Sequence, residues 1–150
     1  MHPVLPCAAR FIRSLGDEHT RSDRYEPESN RRSGPLDTTT PRAIAHTTGR
    51  ILFGTVLSAE SRRRLEDWMV ACRPGLGRLR AVFPADWSAG DRPGTNLDHE
   101  TNDDAFVRAP GRAPLVVAAY CDAPRVDMEG REAVLRESGR AFVDWARATA

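Results

Sequence analysis

A short polar stretch near the start of the chain combines residue types that can activate a water molecule. Glu26 stands directly before Pro27, and Asn30 follows the glutamate by four residues. A carboxylate and an amide at this spacing can hold one water between them, which is what a general base acting through water requires. Arg24 and Asp37 flank the stretch with opposite charges. The alternative interpretation is an ordinary charged surface loop that contains a proline.

The stretch lies in a segment that has no periodicity of its own. Residues 17–39 are polar and rich in turn-forming types, with Tyr25 and Leu36 as the sizeable apolar side chains. A loop of this length inside a compact domain is uncommon and is usually functional or disordered. A helix is expected to end just before it, over 11–15, with Gly16 as its stop.

Two helices are predicted directly after this loop. Thr40 and Pro41 form a typical helix start, a capping hydroxyl followed by proline at the first helical position, and Gly54 is the expected stop. A second helix is expected to start at Ser58, with Glu60 in its first turn. Its apolar residues recur at i, i+3, i+4 and i+7, which predicts a core-facing stripe made of Leu65, Trp68, Met69 and Cys72.

The second half of the chain reads as strands followed by a helix. Candidate strands cover 86–92 and 105–108, with a polar turn between them over 96–103. Residues 115–121 are the most apolar run, and because they show no alternation a central strand covered on both faces is expected. Asp127 is expected to cap a long last helix. This order of elements predicts the α+β class.

Composition limits the classes of partner and cofactor. The 150 residues suit one domain, and 22 basic against 21 acidic residues leave no charge excess that would favour nucleic acid or an anionic membrane. No apolar stretch is long enough to span a bilayer, and the first nine residues lack the basic start of an export signal. The three dispersed cysteines are expected to be free thiols and the four histidines form no cluster, so we expect no metal and no cofactor.

Several spaced motifs resemble the class A serine β-lactamases. The stretch Arg24-Tyr25-Glu26-Pro27-Glu28-Ser29-Asn30 is similar to the family's R-x-E-P-x-x-N, which lies in its omega loop, here residues 17–39. Gly90-Asp91-Arg92-Pro93-Gly94-Thr95 stands where the family has G-D-K-T-G-T. Thr101-Asn102-Asp103 stands where some members carry T-N-D at the opening of the fourth strand. Further matches to a family helix, to the approach to its third strand and to its last helix cover 58–69, 78–87 and 128–139.

The resemblance implies a partial β-lactamase/transpeptidase-like fold, an antiparallel three-strand meander with flanking helices and an omega loop. Residues 11–150 would form an incomplete β-lactamase α/β domain, and residues 1–10 form an unassigned N-terminal segment. The helical domain of the family and the first two strands of its sheet have no counterpart among these residues.

The resemblance also implies roles in catalysis. Glu26 corresponds to the general base that activates the deacylating water, and Asn30 corresponds to the amide that positions this water. The alternative for Asn30 is a turn residue that bonds its own backbone. Thr95 corresponds to a donor of the oxyanion hole through its backbone N–H. In the loop itself, a cis peptide before Pro27 and an ion pair that joins Arg24 and Asp37 at the loop neck are implied.

Substrate contacts are implied at the end of the third family strand. Arg92 replaces the lysine of K-T-G, and either cation can attract the substrate carboxylate. Gly94 and Thr95 belong to the same substrate-binding motif. Arg78 occupies a position from which certain members send a guanidinium toward that carboxylate, and a solvated surface arginine is the alternative.

The catalytic nucleophile of the family is missing from these residues. It lies in S-x-x-K, which cannot occur in a sequence without lysine, and the nearest match to the second motif, S-D-N, is Ser22-Asp23-Arg24 inside the omega loop. Without a nucleophile there is no acyl-enzyme to form or hydrolyse. Other departures from the family pattern are Ser22 and Ser29 in place of anchoring leucines, Pro93 in place of a motif hydroxyl, and Asn96 and His99 in place of glycines.

The residues leave three interpretations open. The first is a truncated class A β-lactamase, inactive and poorly folded alone, whose relatives hydrolyse the β-lactam amide and confer antibiotic resistance. The second is a mis-started or frameshifted gene with the nucleophile encoded upstream. The third is a non-enzymatic binding module that pairs with a complementary lactamase fragment or retains a ligand through Arg92 and Arg78. A β-lactam is the expected small-molecule partner if the site is completed. Family members are exported, whereas these residues show no export signal, so the localisation stays open.

Overall fold

A computed structural model describes the chain from residue 4 to residue 149. Residues 1–3 of the unassigned N-terminal segment and residue 150 lie outside this range. Within it the regular elements are α1 (Val4–Ser14), α2 (Pro41–Phe53), α3 (Ala59–Val70), β1 (Ser88–Thr95), β2 (Thr101–Arg108), β3 (Leu115–Cys121) and α4 (Met128–Ala148). Short 3-10 turns cover Glu28–Asn30 and Leu79–Val82. This order confirms the predicted α+β class.

Side-chain caps define where three of the helices start. In each case the cap accepts a hydrogen bond from the backbone N–H three residues on, at 3.1 Å for Thr40, 3.2 Å for Ser58 and 2.8 Å for Asp127. These bonds satisfy donors that a helix start leaves free, so the predicted starts are confirmed. α1 ends before Gly16, whose φ of 78° is a conformation that glycine adopts at low cost. Between residues 4 and 149, no helix is sufficiently long and apolar to cross a membrane.

The three strands form an antiparallel meander with β2 in the centre. Thr95 pairs with Thr101 beside the first turn, and Thr101 also pairs with Cys121. The prediction that β3 would be central is wrong, because β3 is an edge strand whose outer edge has no strand partner within residues 4–149. Its unbroken apolar run has another cause. Residues of α2 pack on one of its faces and residues of α4 pack on the other.

The first two strands are longer than expected. β1 continues through Pro93 to Thr95. β2 begins at Thr101, inside the segment 96–103 whose polar residues predicted a turn, and at the residue where the family resemblance implied the opening of a strand. Pro93 is tolerated because β1 lies at the other edge of the sheet. Polar residue types indicated a solvated turn, yet Thr101 and Asp103 are 1% and 0% exposed. Their burial follows from the elements that cover them, which the local sequence does not reveal.

Two apolar cores lie on opposite faces of β2. Ala105 packs with Leu135 of α4, while the next residue, Phe106, packs with Leu52 of α2 and Met69 of α3. Successive strand residues point to opposite faces, so this one strand closes both cores.

The apolar stripe predicted on α3 lies only partly in the core. Met69 is 2% exposed and Leu65 packs against the same cluster, but Trp68 is 64% exposed, so its placement in the core is wrong. Leu65 and Met69 occupy one i, i+4 row that faces the sheet. Trp68 projects on the solvent side of that row.

Candidate active site

Ionic and backbone contacts close the neck of the omega loop. Arg24 Nε donates to Asp37 Oδ2 at 2.6 Å, and the other oxygen of Asp37 accepts from the N–H groups of Asp23 and Arg24 at 2.6 and 2.9 Å. Asp23 accepts in turn from the N–H of Asp37 at 3.0 Å. Burial works to raise the pKa of Asp37, but these hydrogen bonds outweigh burial and hold the pKa below its ordinary value. The neck therefore holds Asp37 as an ionised carboxylate.

A buried aspartate ties the start of the loop to α2. Asp17 is 3% exposed and accepts from the N–H groups of His19 and Thr20 at 2.9 and 2.8 Å, while its second oxygen accepts from the Thr47 hydroxyl at 2.8 Å. Burial works to raise the pKa of Asp17, but the hydrogen bonds lower it to about 2. This anchor was not predicted from the sequence. An aspartate followed three residues later by threonine is the pattern that could have indicated it.

The water-activating stretch forms a tight turn at the surface. The peptide between Glu26 and Pro27 is cis, and the 3-10 turn over Glu28–Asn30 follows at once. The N–H of Ser29 donates to the Tyr25 carbonyl at 2.9 Å. The Glu26 side chain is exposed and forms no hydrogen bond or ion pair with residues 4–149. Its carboxylate is therefore available to bind water.

Arg78 is buried under the end of β1. The residue is 5% exposed, and its guanidinium donates to the carbonyls of Gly94 and Asn102 at 2.9 and 2.7 Å and to Thr95 Oγ1 at 2.7 Å. Glu132 Oε1 lies 3.3 Å from its Nε. The alternative of a solvated surface arginine is thus wrong. The β1–β2 register places Gly94 opposite Asn102, which brings both carbonyls within reach of one guanidinium.

A cavity of about 470 Å³ lies between the omega loop and the sheet. Asn30 and Asp37 line it from the loop, and Gly94 and Thr95 line it from the end of β1. The structure therefore brings these four predicted site residues to one cavity. Asn30 ends the 3-10 turn, where its backbone N–H donates to the Pro27 carbonyl at 3.1 Å.

Other predicted site residues lie outside the cavity wall. Glu26 and Pro27 are exposed, and Arg24 lies at the loop neck. Arg92 is exposed on β1 and forms no ion pair with the acidic residues between 4 and 149. Arg78 does not line the cavity itself, but its guanidinium donates to three residues that do: Gly94, Thr95 and Asn102.

Buried carboxyl groups lie along the β1–β2 pair. Asp91 and Asp103 are both 0% exposed; Arg80 Nε lies 3.1 Å from Asp91 Oδ1, and the Leu79 N–H donates to Asp103 at 3.2 Å. Burial first, and the charge of Asp91 next, raise the pKa of Asp103 to about 7. On the opposite face of β2, burial raises the pKa of Asp104 to about 6. These buried carboxyl groups were not predicted from the sequence, because the polar residues around Asp103 indicated a turn.

Comparison with known proteins identifies the family. The family model described as "Beta-lactamase enzyme family" matches residues 8–146. A beta-lactamase of Streptomyces fradiae is 41% identical over 138 residues, and the carbapenem-hydrolyzing beta-lactamase KPC of Klebsiella oxytoca is 40% identical over 137 residues. These alignments cover 90% and 89% of this chain but 45% and 47% of the relatives. The chain thus spans about half the length of the curated relatives it matches.

Solved structures give the same answer. A beta lactamase from Burkholderia vietnamiensis superposes with a TM-score of 0.93 at 63% identity, over 97% of this chain and 54% of that one. An ancestral class A beta-lactamase gives a TM-score of 0.87 at 48% identity, over 93% of this chain and 55% of that one. The resemblance inferred from the motifs is confirmed: the chain belongs to the beta-lactamase enzyme family and, within it, to class A.

Proposed function

We propose that these residues supply the omega-loop and sheet side of a β-lactamase active site, which hydrolyses the β-lactam amide once a serine nucleophile completes it. The proposal rests on the cavity that Asn30 lines from the omega loop and that Gly94 and Thr95 line from β1. A substrate held between these walls meets a water-positioning amide on one side and strand backbone on the other. Fixed placement of both reacting partners is a main source of enzymatic rate enhancement.

Glu26 acts as the general base in this proposal. Its carboxylate takes a proton from a water molecule as the water oxygen adds to the carbonyl carbon of the acyl-enzyme ester. The serine oxygen then leaves and takes up a proton, which frees the nucleophile for the next cycle. Asn30 holds the water through its amide. The exposed position of Glu26, without a competing partner among residues 4–149, supports this role.

The end of β1 binds and polarises the substrate. Arg92 attracts the substrate carboxylate, and its exposed, unpaired position within the described chain supports this role. Thr95 contributes its backbone N–H to the oxyanion hole. Arg78 acts on Thr95 rather than on the substrate, since its guanidinium is buried and donates to the Thr95 hydroxyl. A Cβ at Gly94 would lie 2.7 Å from Asn102 Oδ1, so a side chain there would require the Asn102 amide to move.

These residues by themselves are expected to give no turnover, because they contain no S-x-x-K. The nucleophile can be encoded upstream of Met1 in the same gene or can come from a separate polypeptide. Reading the DNA before Met1 in every frame for S-x-x-K distinguishes these origins.

Complementation tests the proposed function. The purified chain is assayed with a chromogenic cephalosporin, alone and mixed with a separately purified amino-terminal lactamase segment that carries S-x-x-K and S-D-N. We expect hydrolysis only in the mixture. There Glu26→Gln should slow deacylation by about 10²- to 10⁴-fold, while the acylated serine accumulates in the mass spectrum.

The matched control is Glu28→Gln, which changes an exposed carboxylate of the same turn and should keep the rate. Hydrolysis by the chain alone would contradict the requirement for an added nucleophile. Equal rates for Glu26→Gln and the unchanged mixture would contradict the role of Glu26.

A non-enzymatic binding module is the second candidate function, favoured by the outer edge of β3. This edge has no strand partner within residues 4–149, and an exposed edge can accept a strand from another chain. Pairing with a complementary lactamase fragment predicts co-elution of both pieces from a sizing column, with or without catalysis. The version in which the module binds a ligand now depends on Arg92. Calorimetric titration with penicillin should then give heat that Arg92→Ala abolishes.

A further inference from the structure

We propose that Arg32 is a positioning residue that latches the outer part of the omega loop to the sheet. The latch is defined by Arg32 together with Asp98, Glu100 and Asp122. The role of this latch in positioning Asn30 and the water activated by Glu26 rests on the proposed function. The mechanical link from loop to sheet does not depend on that function.

Arg32 contacts three carboxylates. Its backbone N–H donates to Asp98 Oδ2 at 2.6 Å, and its Nη1 donates to Asp122 Oδ2 at 2.8 Å and lies 3.3 Å from Glu100 Oε1. Asp98 and Glu100 belong to the turn between β1 and β2, whereas Asp122 directly follows β3. One residue of the loop therefore binds two separate parts of the sheet.

The β1–β2 turn is ordered so that its carboxylates face Arg32. Asn96 Oδ1 accepts from the N–H groups of Asp98 and Glu100 at 3.1 and 2.9 Å, and Asn96 Nδ2 donates to Glu100 Oε2 at 2.6 Å. His99 adopts a φ of 70°, which closes the turn. Asn96 and His99 are residues that depart from the glycines of the family pattern. The Asn96 amide orders Asp98 and Glu100 through these hydrogen bonds, which a glycine could not form because it has no side chain.

The latch holds the backbone of Asn30 in place. The N–H of Leu97, next to Asn96, donates to the Asn30 carbonyl at 3.0 Å. Among described residues 26–36, the hydrogen bonds and ion pairs to the sheet and its turns all fall on Asn30 and Arg32. Ser29 stands where the family carries an anchoring leucine. Polar contacts therefore replace the missing apolar anchor of this part of the loop.

Charge makes the latch dependent on Arg32. The guanidinium lies between two carboxylates, those of Glu100 and Asp122, so its removal leaves these acids without their cation. The backbone N–H of Arg32 keeps its hydrogen bond to Asp98 in any such variant. The Arg32 side chain is 59% exposed, and exposed ion pairs contribute little to global stability. Its loss should therefore open the outer part of the loop and leave the fold intact. Local opening of this kind is visible in amide hydrogen exchange.

Hydrogen exchange on the full chain tests the latch with Arg32→Ala, Arg32→Lys and Arg31→Ala. The control Arg31 is the exposed neighbour, and its guanidinium forms no hydrogen bond or ion pair with residues 4–149. In Arg32→Ala we expect the amides of Asn30 and Leu97 to exchange about tenfold faster or more, with β2 amides unchanged. Arg32→Lys keeps the positive charge and should restore most of the protection. Arg31→Ala should match the unchanged chain.

Equal exchange in Arg32→Ala and Arg31→Ala would overturn the proposal. Uniformly fast exchange over the omega loop and β2 in the unchanged chain would overturn it too, because no latch would then hold the loop. The proposed function fails by a different result, a Glu26→Gln variant that hydrolyses normally after complementation. That result would leave the exchange pattern as predicted here.

Discussion

Arg78 Nη2 donates to the hydroxyl of Thr95 at 2.7 Å, and both residues lie where the sheet faces the omega loop. The same guanidinium binds the carbonyls of Gly94 and Asn102, so one buried cation shapes the last two residues of β1. Glu132 of α4 balances its charge from the other side. The sheet wall of the cavity therefore depends on a residue that does not line the cavity itself.

Replacing Arg78 with methionine should lower the free energy of unfolding by about 2–4 kcal/mol. Two carbonyls and the Thr95 hydroxyl lose their donor, and Glu132 loses its partner. Guanidinium chloride unfolding measures the change. Arg140→Met is the control, since Arg140 pairs with Glu137 on the exposed side of α4 and its loss should cost no more than about 0.5 kcal/mol. Equal decreases in the free energy of unfolding for the two variants would contradict the role of Arg78 in stabilising the end of β1.

The free energy of unfolding of the unchanged chain should fall as the pH rises and Asp103 ionises, and Asp103→Asn should abolish this fall. Burial and the charge of Asp91 raise the pKa of Asp103 from 3.8 to about 7, so between these values the folded chain keeps a proton that the unfolded chain releases. The stabilising contribution of this proton to the free energy of unfolding is fully present below pH 3.8 and is lost as the pH rises through about 7. At pH about 7 the variant should be more stable than the unchanged chain, by at most about 4 kcal/mol. Urea unfolding should show this gain shrink toward pH about 4, and a variant less stable at pH about 7 would contradict the prediction.

Asp17→Asn should have the opposite pH dependence. Hydrogen bonds lower the pKa of Asp17 from 3.8 to about 2, so the ionised carboxylate stabilises the fold above pH 3.8 and that contribution is lost as the pH falls through about 2. At neutral pH we expect the substitution to lower the free energy of unfolding by about 2 kcal/mol, and this difference should disappear in strong acid. Unfolding curves at several pH values measure it. Glu18→Gln alters the exposed next residue and should change nothing, and equal effects at both sites would refute the anchor.

Alanine substitutions on α3 should separate its two adjacent large side chains. Met69→Ala removes a side chain that is 2% exposed and packed on Phe106, and should cost about 2–5 kcal/mol. Trp68→Ala removes a larger side chain that is 64% exposed, and should cost no more than about 1 kcal/mol. Thermal or denaturant unfolding ranks the two. A larger cost at Trp68 would restore the original prediction that it belongs to the core.

Helix starts could be predicted from the sequence because they depend on local chemistry. Thr40, Ser58 and Asp127 each place an oxygen within reach of an N–H three residues on, and no distant segment is needed for that bond. The omega loop was recognised for a different reason, the spacing of Glu26 and Asn30 within a family motif. Periodicity alone left residues 17–39 as an unassigned polar loop.

Features that depend on distant segments could not be predicted in this way. Arg78 was expected either at the surface or on the substrate, and it is buried because pairing of β1 with β2 gathers carbonyls around it. Asp103 was placed in a turn, since nothing near it in the sequence shows that Leu79 would supply a donor. Arg32 received no role at all. Its partners follow it by more than sixty residues along the chain.

The alternation along β2 also restricts how this chain can misfold. Asp103 and Ala105 face α4 and the Leu79–Val82 turn, whereas Asp104 and Phe106 face α2 and α3. A pairing error of one residue would exchange all four between the faces, so Phe106 would meet the space that accepts Ala105. Asp104 would at the same time lose the Thr48 hydroxyl that now binds it. The strand at the centre of the sheet thus tolerates a single register. Any segment that pairs with the edge of β3 lacking a strand partner within residues 4–149 would therefore join a sheet whose register is already fixed.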